Sequence, residues 1–74
     1  MNEFIGIAYC DNDIYVYKYF CVDKLYDALQ FARIASIGYN SVSYVWRCHG
    51  TYSNSDFIES DSVHIATYIN GLLQ

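Results

Sequence analysis

The chain has 74 residues, of which 54% are hydrophobic and 16% charged, and its formal net charge at pH 7 is −4. A chain of this length forms a single domain, 1–74, with much of its surface exposed. Eight acidic residues against four basic ones argue against direct binding to a nucleic-acid backbone, which needs clustered Lys and Arg. The same balance favours a basic partner, or it only keeps the domain in solution.

The cysteine count and the amino terminus indicate a compartment. The cysteines number three, so at least one is unpaired within a monomer. The start, Met1-Asn2-Glu3-Phe4, lacks the basic leader and long apolar run of a signal peptide. No apolar run approaches the roughly 18 residues that span a bilayer. We expect a cytoplasmic protein with free thiols and no membrane association.

The first two predicted strands form a hairpin with a tyrosine row on one face. Residues 3–10 are followed by turn chemistry at 11–13 and by Ile14–Val22, which alternates with a period of two. We expect the aliphatic face of the second strand to be buried and the other face to look outward. The aliphatic face carries Ile14, Val16, Phe20 and Val22, interrupted by Lys18, and the outward face carries Tyr15, Tyr17 and Tyr19.

The turn sets the register of this hairpin. With Asp11 and Asn12 as the two central turn residues, Ile7 lies opposite Val16. Gly6 then lies opposite Tyr17, so that an aromatic ring covers a cross-strand glycine, which is a favourable pair. A slip of one residue would invert the two faces.

Helical spacing follows the hairpin. Asp23 is a good N-cap for a helix that starts at Lys24 and ends at Gly38. The small residues on its apolar side predict close packing on the sheet. That side carries Leu25, Ala28, Leu29, Ala32 and Ala35.

A third strand is predicted at residues 40–50, and its two faces differ in character. We expect the face with Val42, Tyr44, Trp46 and Cys48 to be the core face. The other face, with Ser43, Val45, Arg47 and His49, then joins the tyrosine side.

The last quarter of the chain predicts a short strand and a second helix. Residues 56–59 pair back on the third strand, and Ser60 or Asp61 caps the helix. The fold class is therefore α+β, a small antiparallel sheet in the order ββαβ(β)α with helices packed on one face. The apolar side of the second helix carries Ser62, Ile65, Ala66, Ile69, Leu72 and Leu73.

The candidate binding residues lie on the tyrosine side and among the acids. Exposed tyrosines with a nearby arginine are typical of protein interfaces, but aromatic sheets also stack nucleic-acid bases, and a second layer or another copy of the chain could cover them. Carboxylates could occupy a basic groove, whereas turn formation and capping explain Asp11, Asp23 and Asp61 without a partner. The predicted partner-binding residues are Tyr15, Tyr17, Tyr19, Arg47, His49, Asp56 and Glu59.

No catalytic or metal-binding pattern is present in the sequence. Cys48 and His49 are adjacent strand residues that point to opposite faces, and no zinc-ligand spacing occurs. Nothing resembles a strained nucleophile turn. We expect no enzyme activity, no cofactor and no metal.

At class level, the chain resembles the small acidic proteins that bacteriophages encode to disable host defences, anti-CRISPR proteins among them. The resemblance rests on short length, acidity and the strand-helix-strand run 17–50, which includes Leu25-Tyr26-Asp27-Ala28-Leu29 and Val42-Ser43-Tyr44-Val45-Trp46. It implies a non-enzymatic inhibitor that blocks a basic or nucleic-acid-binding surface of a larger host complex, in the host cytoplasm. The alternatives are an aromatic-sheet nucleic-acid-binding module and a self-associating structural subunit, such as a homodimer.

Overall fold

The computed structural model describes residues 2–38 and 41–74. Within these ranges, an antiparallel sheet of five strands in the order β2-β1-β3-β4-β5 carries one helix, so the α+β class is as predicted. Helix α1 is preceded by a 3-10 turn, Val22–Lys24. The elements are β1 (Asn2–Asp11), β2 (Ile14–Cys21), α1 (Leu25–Ala35), β3 (Val42–Ser53), β4 (Asp56–Ile69) and β5 (Leu72–Leu73).

The β1–β2 turn is centred one residue later than the sequence predicts. Asn12 and Asp13 both have left-handed backbone angles, with φ of 51° and 66°, as a two-residue hairpin turn of type I′ requires. Gly6 therefore lies opposite Tyr19, two positions from the predicted partner. A shift of two residues changes the partners but keeps the faces, so the aliphatic and tyrosine rows remain on opposite sides of the hairpin.

Helix α1 packs on the aliphatic face, as predicted. Ala28 and Ala32 are fully buried, and their small side chains let the helix approach Ile5, Ile7 and Val45 of the sheet closely. Ala66 and Tyr68 of β4 complete this core at its far side.

The helix ends differ from the predicted ones. Asp23 lies in the 3-10 turn and caps nothing, because α1 begins at Leu25 without a side-chain cap hydrogen bond. At the other end, the cap residue is Ser36, whose hydroxyl donates to the Arg33 carbonyl at 2.7 Å and accepts from the Gly71 amide at 2.8 Å. This hydroxyl ties the helix to the turn between β4 and β5.

The predicted second helix is wrong. Residues 56–69 form one long strand, β4, and the short strand β5 folds back on it, so that Asp61 lies in a strand and caps nothing. The predicted strand at 56–59 is confirmed as the start of β4. The pairing of β4 with β3 skips Ser60 and Ile65, so β4 bulges at both residues. Each bulge breaks the period-two alternation, and the interrupted pattern imitates helical spacing.

The faces of β3 are also the reverse of the prediction, although its residues group as expected. Val45 lies opposite Ile7 in the core, whereas Trp46 lies opposite Gly6 on the tyrosine side. A Cβ atom on Gly6 would come within 2.4 Å of Trp46 Cε2, so the indole packs directly on the glycine. The predicted start of this strand, Asn40, lies outside the described residues, and β3 begins at Val42.

We expect Gly6→Ala to destabilise the domain by roughly 2 kcal/mol, because the added methyl group overlaps the indole ring and must displace it. Urea unfolding followed by circular dichroism measures the change. The matched control is the same substitution in a Trp46→Leu background, where the smaller side chain leaves room for the methyl group. An equal loss of unfolding free energy in both backgrounds would show that the indole ring is not the reason a glycine is required at position 6.

Candidate functional site: the aromatic face of the sheet

The sheet face opposite α1, here called the aromatic face, is lined with rings. Its rows follow from the register, because Tyr17 lies opposite Ala8, and Ala8 lies opposite Tyr44. The tyrosine row thus lies on the side away from the helix, as predicted. The rings of the face are Phe4, Tyr15, Tyr17, Tyr19, Tyr44, Trp46, Tyr52 and Phe57.

One end of the aromatic face is closed by its own ring contacts. The Phe57 ring stacks on Tyr19 with centroids 4.1 Å apart, and Phe4 meets Phe57 edge-on at 4.9 Å. Gly50 makes this packing possible, since a Cβ there would lie 2.5 Å from Phe57 Cζ. Cys48 is buried beside these rings with 1% of its surface exposed. This end is a second small core, bordered by Tyr52, which meets Phe4 and Phe57 and is 59% exposed.

The other end of the aromatic face is open. Tyr15, Tyr17 and Tyr44 have 52%, 60% and 40% of their surface exposed. Tyr17 and Tyr44 flank Ala8, which is only 6% exposed. The three exposed tyrosines and this small apolar residue form a surface whose area is mostly apolar ring, with polar groups only at the hydroxyls. Protein-binding surfaces often have this composition.

The carboxylate of Glu59 accepts two hydrogen bonds from aromatic side chains of this face. Its Oε2 accepts from Trp46 Nε1 at 3.1 Å and from the Tyr19 hydroxyl at 3.2 Å. Burial and the Glu59 charge raise the pKa of Tyr19 to about 12, so its hydroxyl remains a donor at neutral pH. The rings of Tyr17 and Tyr19 meet the indole edge-on at 6.3 and 6.2 Å.

Arg47 and His49 do not join the tyrosines, which corrects the prediction. They share the face of Val45 and therefore lie on the helix side of the sheet, where Arg47 Nη2 is 2.7 Å from Glu3 Oε1. His49 Nδ1 is 2.8 Å from Asp61 Oδ1, and Nε2 is 3.6 Å from Glu3 Oε2. The hydrogen bond from Arg47 lowers the pKa of Glu3, and the one from His49 lowers the pKa of Asp61.

The structure places the two predicted acidic contact residues apart. Glu59 lies on the aromatic face opposite Gly50, whereas Asp56 lies at the end of the β3–β4 hairpin, beside the turn formed by Asn54 and Ser55. Asp56 is exposed. Of the seven predicted residues, the aromatic face therefore brings together Tyr15, Tyr17, Tyr19 and Glu59.

The Lys and Arg side chains in the described ranges all lie off the aromatic face, whereas His64 lies on it, opposite Trp46. Lys18 points to the helix side, with Nζ 5.4 Å from the centre of the Phe31 ring. Lys24 and Arg33 belong to the 3-10 turn and to α1, and Arg47 pairs with Glu3. Base stacking without a cation to hold the phosphates gives weak binding, so this arrangement favours a protein partner over nucleic acid.

Tyr44 and Trp46 belong to the candidate site but were assigned to the core by the sequence prediction. Both alternate with Val45, and their face, which also carries Val42 and Cys48, is the more apolar of the two faces of β3 in the sequence. The available signal was the size of the indole, since an antiparallel partner strand with a glycine accommodates a large ring best.

Neither metal nor membrane geometry is found in residues 2–38 and 41–74. No three His, Cys, Asp or Glu side chains there are placed to hold a metal ion. No helix in the same ranges is long and apolar enough to cross a bilayer.

Comparison of the chain with protein-family models, curated proteins and solved structures found no match.

Single-stranded oligonucleotides are expected not to bind, even in low-salt buffer, because the aromatic face presents no Lys or Arg side chain. Fluorescence anisotropy of labelled oligo(dT) and oligo(U) measures this. Binding that weakens steeply with added salt would instead show that phosphates are contacted, and would favour the nucleic-acid alternative.

The thiols test the closed end of the aromatic face. Burial, with the Glu59 charge second, raises the pKa of Cys48 to about 11, whereas Cys21 is exposed. At pH 8, iodoacetamide should therefore modify Cys21 well before Cys48, and urea should abolish the difference. Peptide mass spectrometry follows each site. Equally fast modification of both thiols in the folded protein would mean that the rings do not seal this end.

Proposed function

We propose that this protein is a non-enzymatic protein-binding module that docks on a larger partner through its aromatic face. The observation that carries the proposal is the open end of that face, where Tyr15, Tyr17 and Tyr44 are exposed and no Lys or Arg is present. Tyr and Trp concentrate binding energy at protein interfaces because a large rigid ring is desolvated at small entropic cost.

Charge supports a basic surface on the partner. The net charge is −4, and acidic side chains stand at both hairpin ends, with Asp13 in the β1–β2 turn and Asp56 beside the β3–β4 turn. An interface with an aromatic centre and a charged rim matches the usual division between a hydrophobic core and a polar periphery. Complementary charges at the rim would mainly speed association and orient the two proteins.

The more specific proposal is that docking inhibits the partner. A compact acidic domain that covers a basic groove competes with nucleic acid for that groove, as the resemblance to phage-encoded anti-defence proteins implies. The partner is then a host protein or nucleoprotein complex, and the site of action is the host cytoplasm. Its direct test is an electrophoretic mobility assay, in which the protein should release nucleic acid from the purified partner.

We expect the double variant Tyr17→Ala/Tyr44→Ala to lose at least about tenfold in partner affinity, because it removes the two rings that flank Ala8. The partner is first isolated by affinity capture from host-cell extract with the unaltered protein, and its Kd is then measured with purified components. The matched control is Tyr26→Ala, which truncates a tyrosine that is 72% exposed on α1. Thermal unfolding confirms that each variant folds.

Two outcomes would contradict the docking face. Affinity lost in the Tyr26→Ala protein but kept in the double variant would move the interface to the helix. Light scattering that reports a dimer through a dilution series, with dissociation caused by Tyr17→Ala/Tyr44→Ala, would show that a second copy occupies the face.

A further inference from the structure

Resting on this proposed function, we infer that the outer ring face of Trp46, with Glu59 at its edge, binds an arginine side chain of the partner. The site deepens the docking proposal by naming the chemistry of one contact. It is built by a tryptophan whose ring plane is held in place and by a carboxylate that already receives hydrogen bonds.

The inner side of the indole is occupied by the sheet. A Cβ on Gly6 would lie 2.4 Å from Cε2 and 2.6 Å from both Cζ2 and Nε1 of Trp46. The bridging carbon is the nearest of these three bonded atoms, which places Gly6 under the ring plane and not beyond its rim. Trp46 is nevertheless partly exposed. The accessible surface therefore belongs to the side that faces away from the sheet.

The position of this ring is fixed by three neighbours. Tyr17 and Tyr19 meet it at interplanar angles of 71° and 86°, and its Nε1 donates to Glu59. A ring that is already ordered loses little entropy when a cation settles on it, so the full electrostatic attraction of its π face is available.

Glu59 keeps acceptor capacity for such a cation. Both donors, Trp46 Nε1 and the Tyr19 hydroxyl, reach the same oxygen, Oε2, so Oε1 can accept from a ligand. A carboxylate at the rim of an indole supplies a hydrogen-bond acceptor and a negative charge next to the stacking surface.

This geometry selects arginine over lysine. A guanidinium group is planar, so it can lie flat on the indole and still donate in its own plane to a carboxylate at the ring edge. An ammonium group is more strongly hydrated and has no stacking plane. No Lys or Arg of the described residues lies at the site: Lys18 lies over Phe31, Arg47 pairs with Glu3 on the other side of the sheet, and Lys24 and Arg33 belong to the 3-10 turn and α1. His64 lies opposite Trp46, and its Nε2 is 2.8 Å from Thr67 Oγ1.

Trp46 is the only tryptophan in the chain, so its fluorescence reports directly on the site. The probes are three capped pentapeptides, Gly-Xaa-Gly-Xaa-Gly, in which Xaa is arginine, lysine or citrulline, the uncharged analogue of arginine. We expect a saturable fluorescence change with the arginine peptide, binding at least about fivefold weaker with lysine, and no response to citrulline. Equal binding of the lysine and arginine peptides would overturn the inference.

The decisive variant is Glu59→Gln, whose amide oxygen still accepts from Trp46 and Tyr19 but carries no charge. Its affinity for the arginine peptide should fall about tenfold. The control Asp27→Asn makes the same change of net charge at an exposed position of α1, and it should leave binding unchanged. An equal loss in both variants would show a general charge effect and reject the site.

The same variants separate this inference from the docking proposal. Partner affinity that falls in Tyr17→Ala/Tyr44→Ala but not in Glu59→Gln, with no Trp46 response to the peptides, rejects the arginine site and leaves the docking face intact. Partner affinity that falls in Glu59→Gln but not in Tyr17→Ala/Tyr44→Ala, with the arginine peptide bound through Glu59, rejects the docking face at the open end and keeps the arginine site.

Discussion

The contact between Trp46 and Gly6 determines the arrangement of this domain more than any other. The indole occupies the space that a side chain at position 6 would take, so it can lie only on the face of β1 where that glycine opens a gap. The position of Trp46 also sets the direction of the other β3 side chains, because neighbouring strand residues point to opposite sides of the sheet. Val45 is thereby directed under α1, and Arg47 and His49 follow it to the same side.

This arrangement gives a short chain two unequal apolar clusters. Beneath α1, the fully buried Ala28 and Ala32 allow the helix to lie close to aliphatic strand residues. A few small side chains therefore suffice for a densely packed core. Across the sheet, Phe4, Tyr19 and Phe57 pack on one another without a covering helix. An aromatic layer can face water in this way because tyrosine combines a large apolar ring with a hydroxyl that water solvates.

The distribution of charge differs between the helix side of the sheet and the aromatic face. Arg47, His49, Glu3 and Asp61 contact one another on the helix side, at partly exposed positions where ion pairs add little stability. The aromatic face carries the carboxylate of Glu59, which accepts from Trp46 and Tyr19, and the imidazole of His64 opposite Trp46. The aromatic face therefore presents ordered rings and one ordered carboxylate, and for the proposed docking this preorganisation is a stronger argument than acidity or tyrosine content alone.

Local pattern determined the first three strands, their alternation and the amphipathic helix α1, because period-two spacing, turn residues and helical spacing act over a few neighbours. It also separated the aliphatic residues of the first hairpin from the tyrosines, and that separation survived a two-residue change of register. Tertiary structure alone decided which side of β3 lies under the helix, since composition favours the side of Trp46 and only the glycine opposite the indole places that side on the other face. It also decided that residues 56–69 form one continuous strand. The bulges at Ser60 and Ile65 arise only from the pairing with β3, and the apolar spacing that they produce in the sequence is also the spacing of a helix.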